Sequence, residues 1–103
     1  MRSLLGTEMH LTSGTSFGSH TVTATPNQIQ KLLGPPVYEC NDGSDKVNME
    51  WNCMTDTNKV FTIYDWKYYR PLGMDEPVEW HIGGKDPQSA YEGMKELKEA
   101  LAK

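Results

Sequence analysis

The middle of the chain carries an alternating pattern that constrains the fold more than any other feature. From Lys46 to Met54, apolar and polar side chains alternate, with Val47, Met49, Trp51 and Cys53 on one side and Asn48, Glu50 and Asn52 on the other. Side chains of a β-strand point alternately to its two faces, so this segment is predicted to be a half-buried strand. A polar turn at 56–58 and the aromatic, β-branched segment Lys59–Tyr69 complete an antiparallel hairpin.

Two helices are predicted around this hairpin. Thr25-Pro26-Asn27-Gln28 is typical of a helix start, and Gly34-Pro35-Pro36 ends that short helix. Asp86-Pro87 starts a longer one, whose apolar stripe is Ala90, Met94, Leu97 and Leu101. Further strands are predicted at Gly14–Ala24 and Val78–Ile82, with Gly83-Gly84 as a sharp exit.

The order of these elements predicts an α+β fold in a single domain over residues 1–103. A small antiparallel sheet of three to four strands would be covered on one face by the short helix and the longer C-terminal helix. Residues 1–13 are expected to be a loosely ordered N-terminal segment. The uncovered face would expose aromatic side chains, so a homo-oligomer, dimer or tetramer, is expected.

Charge and composition narrow the classes of partner. A formal net charge of -4 disfavours duplex nucleic acid as a partner. No segment approaches the ~20 apolar residues of a membrane helix, and the N-terminus lacks the apolar core of a signal peptide, so an intracellular protein without a membrane partner is expected. In that setting Cys40 and Cys53 are predicted to be reduced thiols. The histidines lack metal-ligand spacing, and no metal or cofactor is expected.

The segment Ile63–Pro71 gathers three tyrosines, a tryptophan and two basic residues. Tyr64 and Trp66 offer flat surfaces on which a nucleobase can stack, and Lys67 or Arg70 could meet a phosphate. The same residue types are also typical of protein interfaces. Strand alternation predicts two faces, one with Phe61, Ile63, Asp65 and Lys67 and one with Thr62, Tyr64, Trp66 and Tyr68.

Two glycine-containing segments are further candidates. In 79–86 the glycines permit close approach of a ligand, and the amides of the following helix favour an anion, although a simple strand-to-helix turn explains the segment equally well. The polar loop at 14–18 is a similar candidate. His20 and His81 leave open a two-histidine phosphoesterase, but the segment after His81 lacks the second hydroxyl that such a site needs. Binding without turnover is therefore predicted.

Five segments together resemble a widespread family of small bacteriophage proteins. They are GTSFG at 14–18, LLGPP at 32–36, DKVNMEW at 45–51, TIYDWK at 62–67 and WHIGG at 80–84. The family is similar to the anti-CBASS sponge proteins, which sequester cyclic oligonucleotide immune signals such as 3′,3′-cyclic GMP-AMP without cleaving them. The resemblance implies a phage-encoded protein in the host cytoplasm, a homo-oligomer that binds a cyclic di- or trinucleotide between subunits and so blocks activation of the CBASS effector.

The resemblance also implies a set of ligand-binding residues and no catalytic residue. These residues are Thr15, Ser16, Tyr64, Trp66, Lys67, Arg70, Trp80, His81 and Gly83. The hydroxyls would contact phosphate or ribose, the first tyrosine and tryptophan would stack on bases, and the lysine and arginine would meet phosphates. The alternative function is a protein-binding inhibitor of a host defence enzyme, which would use the same aromatic surface patch.

Overall fold

The computed structural model describes all 103 residues of the chain. The elements are β1 (Arg2–Ser3), a 3₁₀ helix (Gly6–Thr12), β2 (Ser16–Ala24), α1 (Pro26–Leu33), β3 (Tyr38–Glu39), β4 (Met49–Met54), β5 (Val60–Tyr64), β6 (Val78–Gly84) and α2 (Pro87–Leu101). The strands form one antiparallel sheet in the order β1, β4, β5, β6, β2, and β3 pairs with β4 beside β1. The predicted α+β class is confirmed, but the sheet has six strands rather than three to four, because β1 and β3 are too short to show alternation.

Both α-helices begin where their capping residues predicted. The Thr25 hydroxyl accepts a hydrogen bond from the Gln28 N–H at 3.1 Å, and the Gln28 side chain accepts one from the Thr25 N–H at 2.8 Å. The Asp86 carboxylate likewise accepts a bond from the Ser89 N–H at 2.7 Å. Because these bonds satisfy amides that a helix start leaves free, they fix the first residue of each helix.

The main core lies between the helices and one face of the sheet. Trp51 and Trp80 meet there edge to face, with ring centroids 5.4 Å apart. Each indole N–H is satisfied by a backbone carbonyl, that of Gly34 for Trp51 and that of Ala24 for Trp80, both at 2.9 Å. The apolar side chains of β4 are therefore buried against the helices, as expected. The polar side chains of the same strand lie on the other face of the sheet.

Gly83 and Gly84 belong to β6, so the prediction that they form a sharp exit is wrong. A side chain on Gly84 would place its Cβ 2.7 Å from the backbone nitrogen of Ala90 in α2. A side chain on Gly83 would meet the Thr62 hydroxyl at 2.5 Å. The glycines allow close packing of a helix on one face and of a neighbouring strand on the other.

The hairpin is shorter than its alternation predicted, because a buried polar contact replaces strand pairing beyond Met49 and Tyr64. The Asp65 carboxylate is fully buried and accepts hydrogen bonds from the backbone N–H groups of Asn48 (2.8 Å) and Met49 (2.9 Å) and from the Asn48 side-chain amide (3.0 Å). We call this contact the Asp65–Asn48 clasp. Asn48, predicted on the polar face, is fully buried as a result.

Residues 1–13 were expected to be loosely ordered, but they form β1 and the 3₁₀ helix. Leu4 is buried with Met54 and Val60 in a second, smaller apolar cluster, against which Met9 and Leu11 pack. This cluster lies on the sheet face that the α-helices leave uncovered. The chain itself therefore covers part of the apolar surface for which a second subunit was expected.

The two cysteines are free thiols, as predicted. Cys53 lies in the main core, where burial raises the pKa of its thiol to about 12. At physiological pH this group is protonated and unreactive, so Cys53 contributes as a small apolar side chain.

One buried polar atom lacks a partner. The Asn52 side chain is 7% exposed, its amide nitrogen lies 3.5 Å from the Met9 sulfur, and its Oδ1 has no hydrogen bond. Asn52→Leu is expected to raise the free energy of unfolding by on the order of 1 kcal/mol, because an unsatisfied acceptor is replaced by an apolar group of similar size. Urea denaturation measures the change.

Asn48→Leu is the matched control for this substitution. The amide of Asn48 bonds to Asp65 and to the Arg70 carbonyl, and its oxygen accepts from the Gly43 N–H. Because all of these bonds would be lost, this variant is expected to be clearly destabilised. A loss of stability in Asn52→Leu as well would mean that the orphan oxygen has a partner, such as a bound water.

Candidate functional site

The face of the sheet opposite the α-helices is here called the open face. Strand register places Glu50, Tyr64, His81 and Thr21 on one line across β4, β5, β6 and β2. A parallel line contains Asn52, Thr62, Gly83 and Phe17. Because residues on such lines are direct cross-strand neighbours, their side chains lie close enough to act together.

Four rings on the open face form a continuous cluster, here called the ring cluster: Phe17, Tyr64, Trp66 and His81. Phe17 stacks on His81 with centroids 4.3 Å apart, and Tyr64 lies 5.6 Å from the same imidazole. Trp66 meets Tyr64 edge-on at 6.1 Å. Phe17 is 46% exposed and Trp66 40%, so the cluster presents aromatic surface to solvent.

Two lysines lie at the rim of the ring cluster. The ammonium groups of Lys46 and Lys67 are 5.9 and 5.7 Å from the centroid of the Trp66 ring, within the range of cation–π attraction. A backbone hydrogen bond of 2.7 Å from the Lys67 N–H to the Lys46 carbonyl joins their segments. The Asp65–Asn48 clasp lies directly beside this bond, so a buried carboxylate holds the two cations and Trp66 in place.

The titratable groups of the open face are shifted towards their neutral forms. Burial lowers the pKa of His81, although Glu79 and Asp65 oppose this shift. Burial raises the pKa of Tyr64, with a further contribution from Glu50, and burial alone raises the pKa of Glu50. The face therefore combines exposed rings, a neutral imidazole and a poorly solvated carboxylate, with two cations at its rim.

The structure brings together five of the residues singled out in the sequence. Tyr64, Trp66 and His81 belong to the ring cluster, Lys67 lies at its rim, and Gly83 lies on the open face between Thr62 and Phe17. The absence of a side chain at Gly83 makes room for the Thr62 hydroxyl, which lies 2.5 Å from the position that a Cβ would take. These residues support non-covalent binding of a flat ligand.

Trp80 and Arg70 lie outside this site. Trp80 has no exposed surface and belongs to the main core, so its ring offers no stacking surface. Arg70 forms two hydrogen bonds to the Glu76 carboxylate, at 2.7 and 2.8 Å, and lies over the Tyr68 ring. The Arg70 guanidinium is the main reason that the pKa of Glu76 falls to about 2, so the arginine charge is already balanced.

Tyr68 departs from the predicted face of the return strand. The strand ends at Tyr64, and Lys67 and Tyr69 adopt positive φ angles of 60° and 53°. The Tyr68 ring turns to pack against the main core, and its hydroxyl accepts a hydrogen bond from the Glu79 N–H at 3.0 Å. Alternation is therefore lost after Trp66, because the clasp bends the chain.

Thr15 and Ser16 are not members of the ring cluster, although Ser16 lines a concavity together with Phe17. The Thr15 hydroxyl donates to the Thr12 carbonyl at 2.9 Å. Ser16 pairs with Gly84, so the two glycine-containing segments meet at a shallow concavity of about 320 Å³. Lys85 and Asp86 line this concavity with opposite charges, and Asp86 already caps α2, so the concavity has no net positive charge with which to hold an anion.

The two histidines considered for a phosphoesterase lie on opposite faces of the sheet. His20 pairs with Ile82 on the helix side, where its ring meets Tyr91 of α2 at 5.9 Å. His81 faces the ring cluster. The pair cannot act on one phosphate within a single chain, which argues against that alternative.

Three residues of the site were not singled out in the sequence: Phe17, Lys46 and Glu50. The alternation of β4 placed Glu50 on the polar face, which was a usable signal. Phe17 reaches His81 only because β2 carries an irregularity between Phe17 and His20, where Ser19 has a φ of 65°. Lys46 lies near Trp66 because the Asp65–Asn48 clasp holds their segments together, and no local sequence pattern indicates that clasp.

Comparisons of the chain with protein-family models, with curated proteins and with solved structures found no match. The description of the protein therefore comes from its own geometry alone: it has an α+β fold with a ring cluster that faces solvent. Neither α1 nor α2 combines the length and the apolar character that crossing a membrane requires.

Proposed function

We propose that the open face binds a nucleotide, namely a cyclic di- or trinucleotide immune signal, and holds it without cleaving it. In this role the chain is a phage counter-defence protein of the anti-CBASS sponge type, which lowers the free concentration of the signal and so prevents effector activation. The single observation that carries the proposal is the ring cluster with two lysines at its rim.

The ring cluster supports base stacking. Phe17 and Trp66 expose enough of their side chains to contact a flat ligand, while His81 and Tyr64 hold them in position from below. Stacking of a base on an aromatic side chain contributes ~1–3 kcal/mol and tolerates any base. Two such contacts supply ~2–6 kcal/mol of the ~8 kcal/mol that a micromolar Kd represents, and contacts to the phosphates must supply the rest.

The lysines support phosphate binding in an otherwise acidic protein. Lys46 and Lys67 are not engaged in ion pairs; they lie over an exposed indole. An ammonium group in this position can turn towards a phosphodiester while the base occupies the adjacent ring. The net charge of -4 elsewhere disfavours long nucleic acids, so a small ligand is the better fit.

The shape of the open face supports a composite site. Of the four rings, only Phe17 lines any of five surface concavities of about 250 to 380 Å³, the one that it shares with Ser16 and Gly84; Tyr64, Trp66 and His81 line none of them. The ring cluster is therefore a platform rather than a pocket in a single chain. A second copy placed over it would enclose the ligand, in keeping with the homo-oligomer expected from the sequence.

Trp66→Ala tests the proposal against a panel of cyclic di- and trinucleotides. With wild-type protein, one ligand at 100 times its Kd is expected to add ~2.7 kcal/mol of stability, a rise in Tm of about 10 °C or more. Trp66→Ala is expected to weaken binding about 5- to 150-fold, the equivalent of ~1–3 kcal/mol. Calorimetry measures the affinity, and light scattering in the same buffer gives the molar mass.

Tyr69→Ala is the matched control. Tyr69 is a 54% exposed ring in the same segment but lies outside the ring cluster, so its loss should leave the affinity unchanged. Chromatography of the ligand released by denaturation should return it intact. No Tm shift with any member of the panel, or a cleaved product, would refute the proposal.

A protein-binding inhibitor is the second candidate, and the platform shape of the open face favours it. Exposed aromatic side chains without a pocket are also what a flat protein interface provides. Binding of a host protein that is lost in Trp66→Ala, with no nucleotide bound by wild-type protein, would favour this candidate.

A further inference from the structure

Glu50 carries a half-buried carboxylate, and burial is the only cause that raises its pKa. The carboxylate has no hydrogen-bonding or charged partner in the chain. Register places it on the open face between Tyr38 of β3 and Tyr64 of β5. The carboxylate has given up part of its hydration and gained no donor in return. Such a group is unfavourable in the free protein and gains strongly when a ligand supplies N–H donors.

The surroundings of Glu50 limit the identity of that donor. Its cross-strand neighbour Tyr64 contacts Trp66 of the ring cluster, so the carboxylate lies beside the rings on which a flat ligand would stack and can meet the edge of that ligand. Lys46 and Lys67 lie over the Trp66 ring of the same cluster, so the binding surface carries cations of its own, which disfavours a cationic side chain of a partner protein. A neutral ring with two adjacent N–H donors meets both conditions.

We infer that Glu50 recognises guanine, accepting hydrogen bonds from the N1–H and the 2-amino group of a base stacked on the ring cluster. This inference rests on the proposed nucleotide-binding function and specifies its base. Guanine presents two parallel donors that one carboxylate accepts together. Adenine instead presents its N1 acceptor beside the 6-amino group, so a carboxylate oxygen would face a lone pair.

A series of three ligands tests the preference with the unmodified protein. Calorimetry is carried out with cyclic di-GMP, cyclic di-AMP and cyclic di-inosine monophosphate, whose base lacks only the 2-amino group. Cyclic di-GMP is expected to bind about 100-fold or more tightly than cyclic di-AMP, because a site built for a donor rejects a ligand that lacks it. The inosine ligand is expected to bind with intermediate affinity.

Glu50→Gln tests the residue itself. The glutamine keeps the size of the side chain but replaces one acceptor oxygen by an NH₂ group that opposes the guanine donors. Affinity for cyclic di-GMP is expected to fall about 10- to 100-fold, while affinity for cyclic di-AMP is expected to stay the same or rise. Glu79→Gln, at an exposed carboxylate on the same face, is the control and should change neither affinity.

The variant is expected to fold. Burial raises the pKa of Glu50, so the free protein loses stability as the pH rises from the ordinary pKa of a glutamate to this raised value, and the full loss remains at higher pH. At pH 7 the Gln variant should therefore melt no lower than wild type, and this advantage should shrink towards pH 4. A lower Tm together with equal loss of all three ligands would indicate a structural role and overturn the inference.

The remaining outcomes separate the two proposals. Equal affinity for the guanine and adenine ligands would overturn the role of Glu50 and leave nucleotide binding in place. Failure of every cyclic di- and trinucleotide to bind would overturn both.

Discussion

Asp65→Ala is expected to lower the free energy of unfolding by about 3 kcal/mol or more, a fall in Tm of about 12 °C or more. The substitution removes the acceptor of three N–H groups, on the backbone of Asn48 and Met49 and on the Asn48 side chain. The site is fully buried, so water cannot replace the lost partner without entering the core. Urea denaturation followed by tryptophan fluorescence measures the change.

Asp65→Asn separates the hydrogen bonds from the volume of the side chain. Its remaining oxygen can still accept from both backbone N–H groups, because Asp65 Oδ1 serves both of them. Its NH₂ group, however, would face the Asn48 amide. A smaller loss than in Asp65→Ala is expected, because the volume and both backbone hydrogen bonds are kept. Equal losses in the two variants would show that the bonds to Oδ1 contribute nothing, which would contradict the role of the clasp.

Gly93→Ala is the second large effect, expected to be a loss of about 2 kcal/mol although alanine favours a helix by up to ~1 kcal/mol over glycine. Gly93 lies on the buried side of α2, and a Cβ there would come within 2.3 Å of Phe61 Cγ. Phe61 is itself fully buried, so its ring cannot move without displacing the sheet or the helix. Thermal denaturation measures the loss.

Two further variants show whether this clash is the cause. Gly6→Ala is the control, because a Cβ at Gly6 would meet nothing within 4 Å, and it should change stability little. Phe61→Leu alone should be destabilising, but the double variant Gly93→Ala, Phe61→Leu should lose less than the sum of the two. Additive losses would contradict the assigned contact.

Local sequence signals predicted the elements that depend on near neighbours. The caps at Thr25 and Asp86 fixed the helix starts because their partners lie three residues away. Alternation predicted which side chains of β4, and of most of β5, face the core, because burial of one face requires an apolar residue at every second position. Tyr64 and Trp66 were accordingly expected on one face, and they lie together there.

Contacts between distant segments were beyond those signals. Asp65 lies on the apolar side of the alternation only because Asn48 and Met49, 17 and 16 residues earlier, supply its donors. Two adjacent glycines, Gly83 and Gly84, are also typical of a turn, so the sequence did not reveal that their role is close packing. Arg70 looked like a phosphate partner because nothing in the sequence indicated its pairing with Glu76.

The two edges of the sheet differ in a way that bears on self-association. The outer side of β4 is occupied end to end by β1 and β3, each of two residues, whereas the nine-residue β2 has no partner on its outer side. The edge formed by β1 and β3 offers only two short strands for backbone pairing with another copy, whereas β2 offers nine residues. Association through β2 would leave only these short edges outside, an arrangement that favours a pair of chains over fibre growth.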